Sequence, residues 1–143
     1  MTKKHLLTAE EIQTLLATEF PQSFGGEHGF WIESAGPMVS RVHLPFHDRH
    51  LRPGGTVSGP AMFGLADCAL YIAVLASIGW VPMAVTTNLS INFLSKPEAG
   101  DIVADCRLLK LGKKLAVGEV YMRSAGKDDI VAHATGTYSI PPR

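Results

Sequence analysis

Apolar residues recur along this chain at two different spacings, and the places where the spacing changes divide it into elements. Thr8-Ala9-Glu10-Glu11 has the spacing of a capping box, and Ile12, Leu15, Leu16 and Phe20 follow at helical intervals. Together they predict a short amphipathic helix. Residues 21–29 are rich in Gly, Ser and Pro and predict a loop. Strands are predicted over 30–33 and 38–44, separated by a Gly36-Pro37 turn, with Met38, Ser40, Val42 and Leu44 on one face. Residues 47–59 are again broken by Pro and Gly. From Pro60 the chain is apolar on every side for about 20 residues, a helix that stops near Gly79. Pro60 suits the first helical position, where a missing amide hydrogen costs nothing, with Ser58 or Gly59 as the cap. The period then becomes two: Val85, Thr87, Leu89, Ile91 and Phe93 alternate with Thr86, Asn88, Ser90 and Asn92. This alternation puts Thr87, not Thr86, on the apolar face. A turn over 96–100 leads to three further strands at 102–109, 115–123 and 130–140.

Strands joined by hairpin-sized turns around one wholly apolar helix predict an α+β domain, a curved antiparallel sheet wrapped around that helix. Gly64, Ala66, Ala69, Ala73 and Ala76 would let the sheet approach closely. A monomer would leave a sheet edge unpaired, so pairing with a second copy is expected. The helix is long enough to span a bilayer, but it carries Asp67 near its middle, lacks a one-sided basic flank and is followed at once by strand alternation, which favours a buried core helix. At 143 residues the chain fits one domain, 1–143, with a helix and loop over 1–29 and the sheet and helix over 30–140. Thirteen basic residues offset thirteen acidic ones, so the field needed to gather nucleic acid or anionic lipid is missing. Cys68 and Cys106 lie in apolar segments without disulfide or metal-ligand spacing, and no leader pattern opens the chain. A reducing cytoplasm is the expected setting.

Between Arg52 and Lys96 the only charged side chain is Asp67. An ionised carboxylate in such a segment must be paired, hydrogen-bonded or protonated, so it is either a structural contact or a functional group. Gly54-Gly55-Thr56-Val57-Ser58-Gly59-Pro60 opens the same helix, and a helix start offers unpaired amide hydrogens to an anion or a polarised carbonyl. Pro60 cannot donate; Gly59 can, and its missing side chain lets a carbonyl approach the backbone.

Ser58-Gly59-Pro60-Ala61-Met62-Phe63-Gly64-Leu65-Ala66-Asp67 resembles the His-Gly-Gly, six residues, Asp signature of hot-dog thioesterases of the phenylacetate-degradation (PaaI-like) family. Residues 85–97, Leu111-Gly112-Lys113-Lys114-Leu115 and Ala132-His133-Ala134-Thr135-Gly136-Thr137-Tyr138 resemble that family's later strands and hairpin, so the likeness covers residues 30–140. The resemblance implies a hot-dog fold and hydrolysis of a short-chain, medium-chain or aromatic acyl-coenzyme A, with no cofactor or metal. It also implies a homodimer, or a dimer of dimers, whose active sites lie between subunits. Carried over, Asp67 is the nucleophile or general base, Gly59 the amide that polarises the thioester carbonyl, and Thr86 the orienting hydroxyl, with Thr87 the competing candidate.

The chain departs from the family pattern at Ser58 in place of His, Pro60 in place of the second Gly, and Arg52 in place of an upstream Asn. As a catalytic candidate Ser58 can replace some of the hydrogen bonding of that His but not its positive charge, while Arg52 could attract an anionic acyl group or a coenzyme phosphate. Arg52, Asn88, Lys96, Arg107, Lys110, Lys113 and Lys114 are the candidates for contacts to substrate and coenzyme A. His43, His47, Asp48 and His50 match no metal-ligand spacing, and His133, inside a strand, is read as structural. Two other functions share the fold. A non-catalytic acyl-CoA-binding protein would bind without turnover, and a hydratase would need a catalytic His that Ser58 does not supply.

Overall fold

A computed structural model describes residues 6–143. Residues 1–5, with which the expected domain and its leading segment begin, lie outside the described residues. Helix α1 (Ala9–Glu19) starts on Thr8, whose side chain accepts from the Glu11 N–H while the Thr8 N–H donates to the Glu11 carboxylate. This reciprocal box satisfies two amide groups that a helix start would leave without partners. Ile12 and Leu16 are the buried stripe of α1. Where a loop was expected, Pro21 opens a one-turn helix, α2 (Pro21–Phe24), with its ring preset for the first helical position. Four residues are too few for a helical period to register in the sequence. Phe24 is buried, its ring 5.9 Å from that of Phe20 and 5.8 Å from that of Phe30.

The hairpin of β1 (Trp31–Gly36) and β2 (Val39–Leu44) is followed by α3 (Gly59–Ile78), β3 (Val85–Phe93), β4 (Ile102–Leu111), β5 (Leu115–Ser124) and β6 (Ile130–Ser139). Met38 lies outside β2, in the turn, with a φ of 72°. All strand pairs are antiparallel, in one sheet ordered β1-β2-β4-β5-β6-β3, and α3 packs against it. This is the α+β arrangement the sequence predicts.

Ala66, Ala69, Ala73 and Ala76 are fully buried beneath the sheet as expected, whereas Gly64 is only half-buried and lines a cavity. Glycines on the strands also let the sheet come close to the helix. Gly118 of β5 and Gly136 of β6 lie opposite each other, and a Cβ on them would sit 2.7 Å and 2.6 Å from the two methyl groups of Leu70. Leu70 is itself buried and has nowhere to move. Gly136→Ala is therefore expected to destabilise the fold by about 1–3 kcal/mol in urea unfolding, the range for overpacking a core.

The two borders of the sheet differ. On β1 the Ile32 N–H donates to Gln13 Oε1 at 2.7 Å, and Gln13 Nε2 donates to the Phe30 carbonyl at 3.2 Å, so an amide side chain of α1 occupies that edge. Strand β3 forms the other border and pairs only with β6. Around it Met83, Val85, Phe93 and Leu94 are all exposed.

Candidate active site

Asp67 is half-buried on α3 at the margin of the sheet, together with Gly64 and Tyr71, three and four residues away on adjoining turns of one face. This face opens on a cavity of about 720 Å³ whose apolar wall includes Leu16, Phe20, Phe24, Phe30, Trp80 and Met83. Thr86 Oγ1 donates to Asp67 Oδ1 at 2.5 Å, and Tyr138 OH donates to the same oxygen at 2.7 Å and to the Asp67 carbonyl at 3.0 Å. Tyr71 closes one side by donating from its OH to the Pro82 carbonyl at 2.9 Å.

Thr86 reaches Asp67 because β3 is bulged. Thr86 lies opposite Tyr138 and Asn88 opposite Thr137, so Thr87 is an extra residue with no partner on β6. One extra residue reverses the phase of the alternation. Thr86, Leu89 and Ile91 consequently share the half-buried side, while Thr87 is exposed and its Oγ1 donates to the Thr137 carbonyl at 3.3 Å. The expectation that Thr87 faces the helix is corrected by that bulge.

Burial, reinforced by the charge of Asp67, pushes the Tyr138 phenol far above the usual tyrosine range, so it remains a donor. The same two causes keep the neighbouring Cys68 thiol protonated.

At the start of α3 the Ser58 side chain accepts from the Ala61 N–H at 3.3 Å, and the Ser58 carbonyl accepts from the Met62 N–H at 3.2 Å. Ser58 is thus the cap, its hydroxyl oxygen accepting from the first turn. Pro60 has no amide hydrogen. Among the described residues this leaves the Gly59 N–H as the amide of that first turn without an acceptor. Gly59 borders a second cavity, of about 510 Å³, with Arg52, Thr56, Phe93, Leu94 and Lys96. The Phe93 ring lies over Gly59, 3.1 Å from where a Cβ would be. Eight residues of helix separate Gly59 from Asp67, a rise of about 12 Å, so the two groups of one chain cannot both touch one carbonyl.

The remaining candidates are dispersed. Asn88 is exposed on the border strand. Arg107 is paired with Glu119 at 2.7 Å, and Glu119 also meets His133 at 3.0 Å. These two partners, His133 first, hold the Glu119 carboxyl down at about 2. Lys110, Lys113 and Lys114 lie at the β4–β5 hairpin, where Leu115 pairs with Ser139, itself opposite Val85. Lys96, by contrast, follows the far end of β3. His43 stacks on Trp31 at 3.9 Å and bonds Glu33 at 2.7 Å, apart from the His47–His50 pair, and no group among the described residues has the donors to hold a metal ion.

Sequence reasoning missed Tyr138 as a partner of Asp67, and it missed the aromatic wall supplied by α1 and α2. A signal for the first was present: a tyrosine on the inner face of a strand must find an acceptor for its hydroxyl, and Asp67 is the charged residue of the core helix.

The sequence profile of the thioesterase superfamily matches residues 54–131, more than half of the chain and inclusive of both Gly59 and Asp67. The chain belongs to the thioesterase superfamily. Its fold is the hot-dog fold, and it is a thioester hydrolase. A crystal structure of a protein assigned as a thioesterase from Silicibacter sp. TM1040 is 46% identical, covers 96% of this chain and 95% of that one, and superposes with a TM-score of 0.86. The phenylacetic acid degradation protein PaaI of Thermus thermophilus, solved as a point mutant, is 25% identical with a TM-score of 0.69, covering 80% of this chain and 95% of that one. A protein of Saccharolobus solfataricus assigned as an esterase is 30% identical over 135 residues, which are 94% of this chain and 87% of its relative.

Proposed function

We propose that this thioester hydrolase cleaves acyl-coenzyme A thioesters carrying an uncharged medium-chain or aromatic acyl group, in active sites shared between two copies of the chain. The carrying observation is the Asp67 carboxylate, fixed through Oδ1 by Thr86 and Tyr138 beside an apolar cavity. Asp67 then either takes a proton from water as that water attacks the thioester carbon, or attacks the carbon itself to give a mixed anhydride that water opens. In both routes the carbonyl oxygen gains negative charge and returns it as the C–S bond breaks, and the coenzyme leaves as a thiolate that ends as thiol with the proton given up by the hydrolytic water. The Gly59 N–H of the second copy stabilises that oxygen. No cofactor beyond the thioester substrate is required, and the two buried free thiols, Cys68 and Cys106, suit a cytoplasmic enzyme.

Support for the shared site comes from β3. Among the described residues no side chain bonds its outer backbone as Gln13 bonds β1, and a two-fold axis near its middle would lay two copies side by side in antiparallel fashion. The Val85 end of one strand would then meet the Phe93 end of the other. This brings the Asp67 cavity of one chain against the Gly59 cavity of its partner. The same operation gathers Lys113 and Lys114 of one copy at the end where the other contributes Arg52 and Lys96, a basic rim suited to the phosphates of coenzyme A.

The acyl preference rests on the cavity wall. Its aromatic and aliphatic groups come largely from α1, α2 and the 79–85 segment, and among the described residues of one chain the carboxyl groups of Asp67 and Glu19 are its only formal charges. A carboxylated acyl group would find no cation there. The test is a panel of acyl-CoA thioesters followed by thiol release. Phenylacetyl and six- to eight-carbon acyl groups should turn over, and succinyl-CoA should be refused. Phe20→Ala, at a half-exposed position, should lower kcat/KM for the larger acyl groups roughly tenfold while sparing acetyl-CoA, as expected for lost apolar contact in a specificity pocket. A protein that binds these thioesters and releases no thiol would reject the catalytic reading.

A further inference from the structure

Tyr138 belongs to no motif that marks catalysis, yet it shares Asp67 Oδ1 with Thr86. The two donors are direct cross-strand neighbours: Tyr138 faces α3 by the regular alternation of β6, and the bulge at Thr87 puts Thr86 on the same side as Leu89 and Ile91 of β3. Tyr138 is 4% exposed and stacks with Tyr71 at 6.0 Å. Its ring is therefore held by packing, and its hydroxyl reaches two acceptors, both on Asp67: the shorter bond is to Oδ1 at 2.7 Å and the longer to the main-chain carbonyl at 3.0 Å. Both donors fall on Oδ1, and among the described residues no donor is bonded to Oδ2. A carboxylate rotates about its Cβ–Cγ bond unless something fixes it, and bonds from hydroxyls to an ionised oxygen are among the stronger ones available.

We propose that Tyr138 is a positioning residue for the thioesterase reaction, locking Asp67 by Oδ1 so that Oδ2 is presented as the reacting oxygen. The inference rests on the proposed catalytic role of Asp67 and adds two points to it: which of its oxygens reacts, and what aims that oxygen. Tyr138 touches no substrate atom in this role. Its effect belongs to the chemical step, because orienting a reacting group lowers the barrier without changing how the acyl and coenzyme groups bind.

Tyr138→Phe removes one oxygen and leaves the ring in place. It is expected to lower kcat roughly ten- to a hundredfold, the loss of one charge-assisted hydrogen bond at the reacting group, while KM stays within about twofold. Thr86→Val should do the same. Because both side chains restrain one oxygen, the double variant should lose less than the product of the single losses. A tyrosine that merely fills the core would change the unfolding midpoint and leave this split unmoved, so a kcat within twofold of wild type in Tyr138→Phe overturns the inference. A second readout needs no turnover. The chain has three tyrosines, so 13C labelling at the ring Cζ gives three signals, and Tyr138→Phe identifies one of them. Asp67→Asn is expected to move that signal at neutral pH and leave the Tyr121 signal in place. An unmoved signal removes the Tyr138 contact and the inference with it, even in an active enzyme. A wild-type protein that hydrolyses no thioester while the signal still responds would instead sink the proposed reaction and retain Tyr138 as the group that positions Asp67.

Discussion

Asp67→Asn is expected to reduce kcat for acyl-CoA hydrolysis by roughly a hundredfold to ten-thousandfold, the range for removing a positioned acid–base group. The amide is nearly isosteric, and its carbonyl oxygen can still accept from Thr86 and Tyr138, which now bond Oδ1. The cavity wall is untouched, so KM should change little and the fold should persist. What disappears is the negative charge and the basic lone pair on the second oxygen. Neither a proton-abstracting role nor a nucleophilic one survives that loss. Saturation kinetics by thiol release, with circular dichroism as the check on folding, decide the matter. Retention of the wild-type rate would eliminate Asp67 from the mechanism altogether.

The second large effect is expected at the other end of α3. Gly59→Pro deletes the amide hydrogen that, among the described residues, the first turn leaves without an acceptor; because Pro60 follows, the new ring is strained in the helical conformation, so circular dichroism accompanies the assay. Ser58, with φ of −74° and ψ of 154°, already has the extended backbone that a following proline demands. The added ring atoms press on Phe93, an exposed side chain that can yield. Loss of one oxyanion donor typically removes about 3 kcal/mol of transition-state stabilisation, or roughly a hundredfold or more in kcat. The two variants together test the shared site directly. Each homodimer is inactive, but a heterodimer of Asp67→Asn with Gly59→Pro carries both lesions in one site and none in the other. Coexpression or joint refolding in equal amounts should restore about a quarter of wild-type activity, since half of randomly formed dimers are mixed and each has one intact site of two. A mixture as inactive as its parents would mean that Gly59 and Asp67 do not meet across an interface.

Much of this architecture was legible because local chemistry and global fold agree. Thr8 and Glu11 announce the first helix, an unbroken apolar stretch from Pro60 announces the core helix, and alternation marks β3 to β6. Glycine motifs and Asp67 marked the two halves of the candidate site. Three things were hidden, each for a physical reason. The bulge at Thr87 leaves the alternation of Val85, Thr87 and Leu89 intact, and it exists only relative to the register of β6. Tyr138 lies 71 residues from Asp67, and an inward aromatic on a strand reads as ordinary core until its hydroxyl is traced. Arg107 reads as a free cation in a strand, because its partner Glu119 is defined only by β4–β5 pairing. Local pattern reports period and propensity, whereas contacts between strands distant in sequence depend on register.

The Gln13 clamp on β1 bears on how many copies can join. A sheet with two bare margins could accept a neighbour on each and grow into a filament, as unguarded strands do in fibrils. With one margin occupied in part by its own side-chain amide, the pairing proposed above is directed to β3. Removing that glutamine would expose a second unpaired margin to a neighbouring chain, and light scattering of Gln13→Ala against wild type would read any growth beyond the proposed pair.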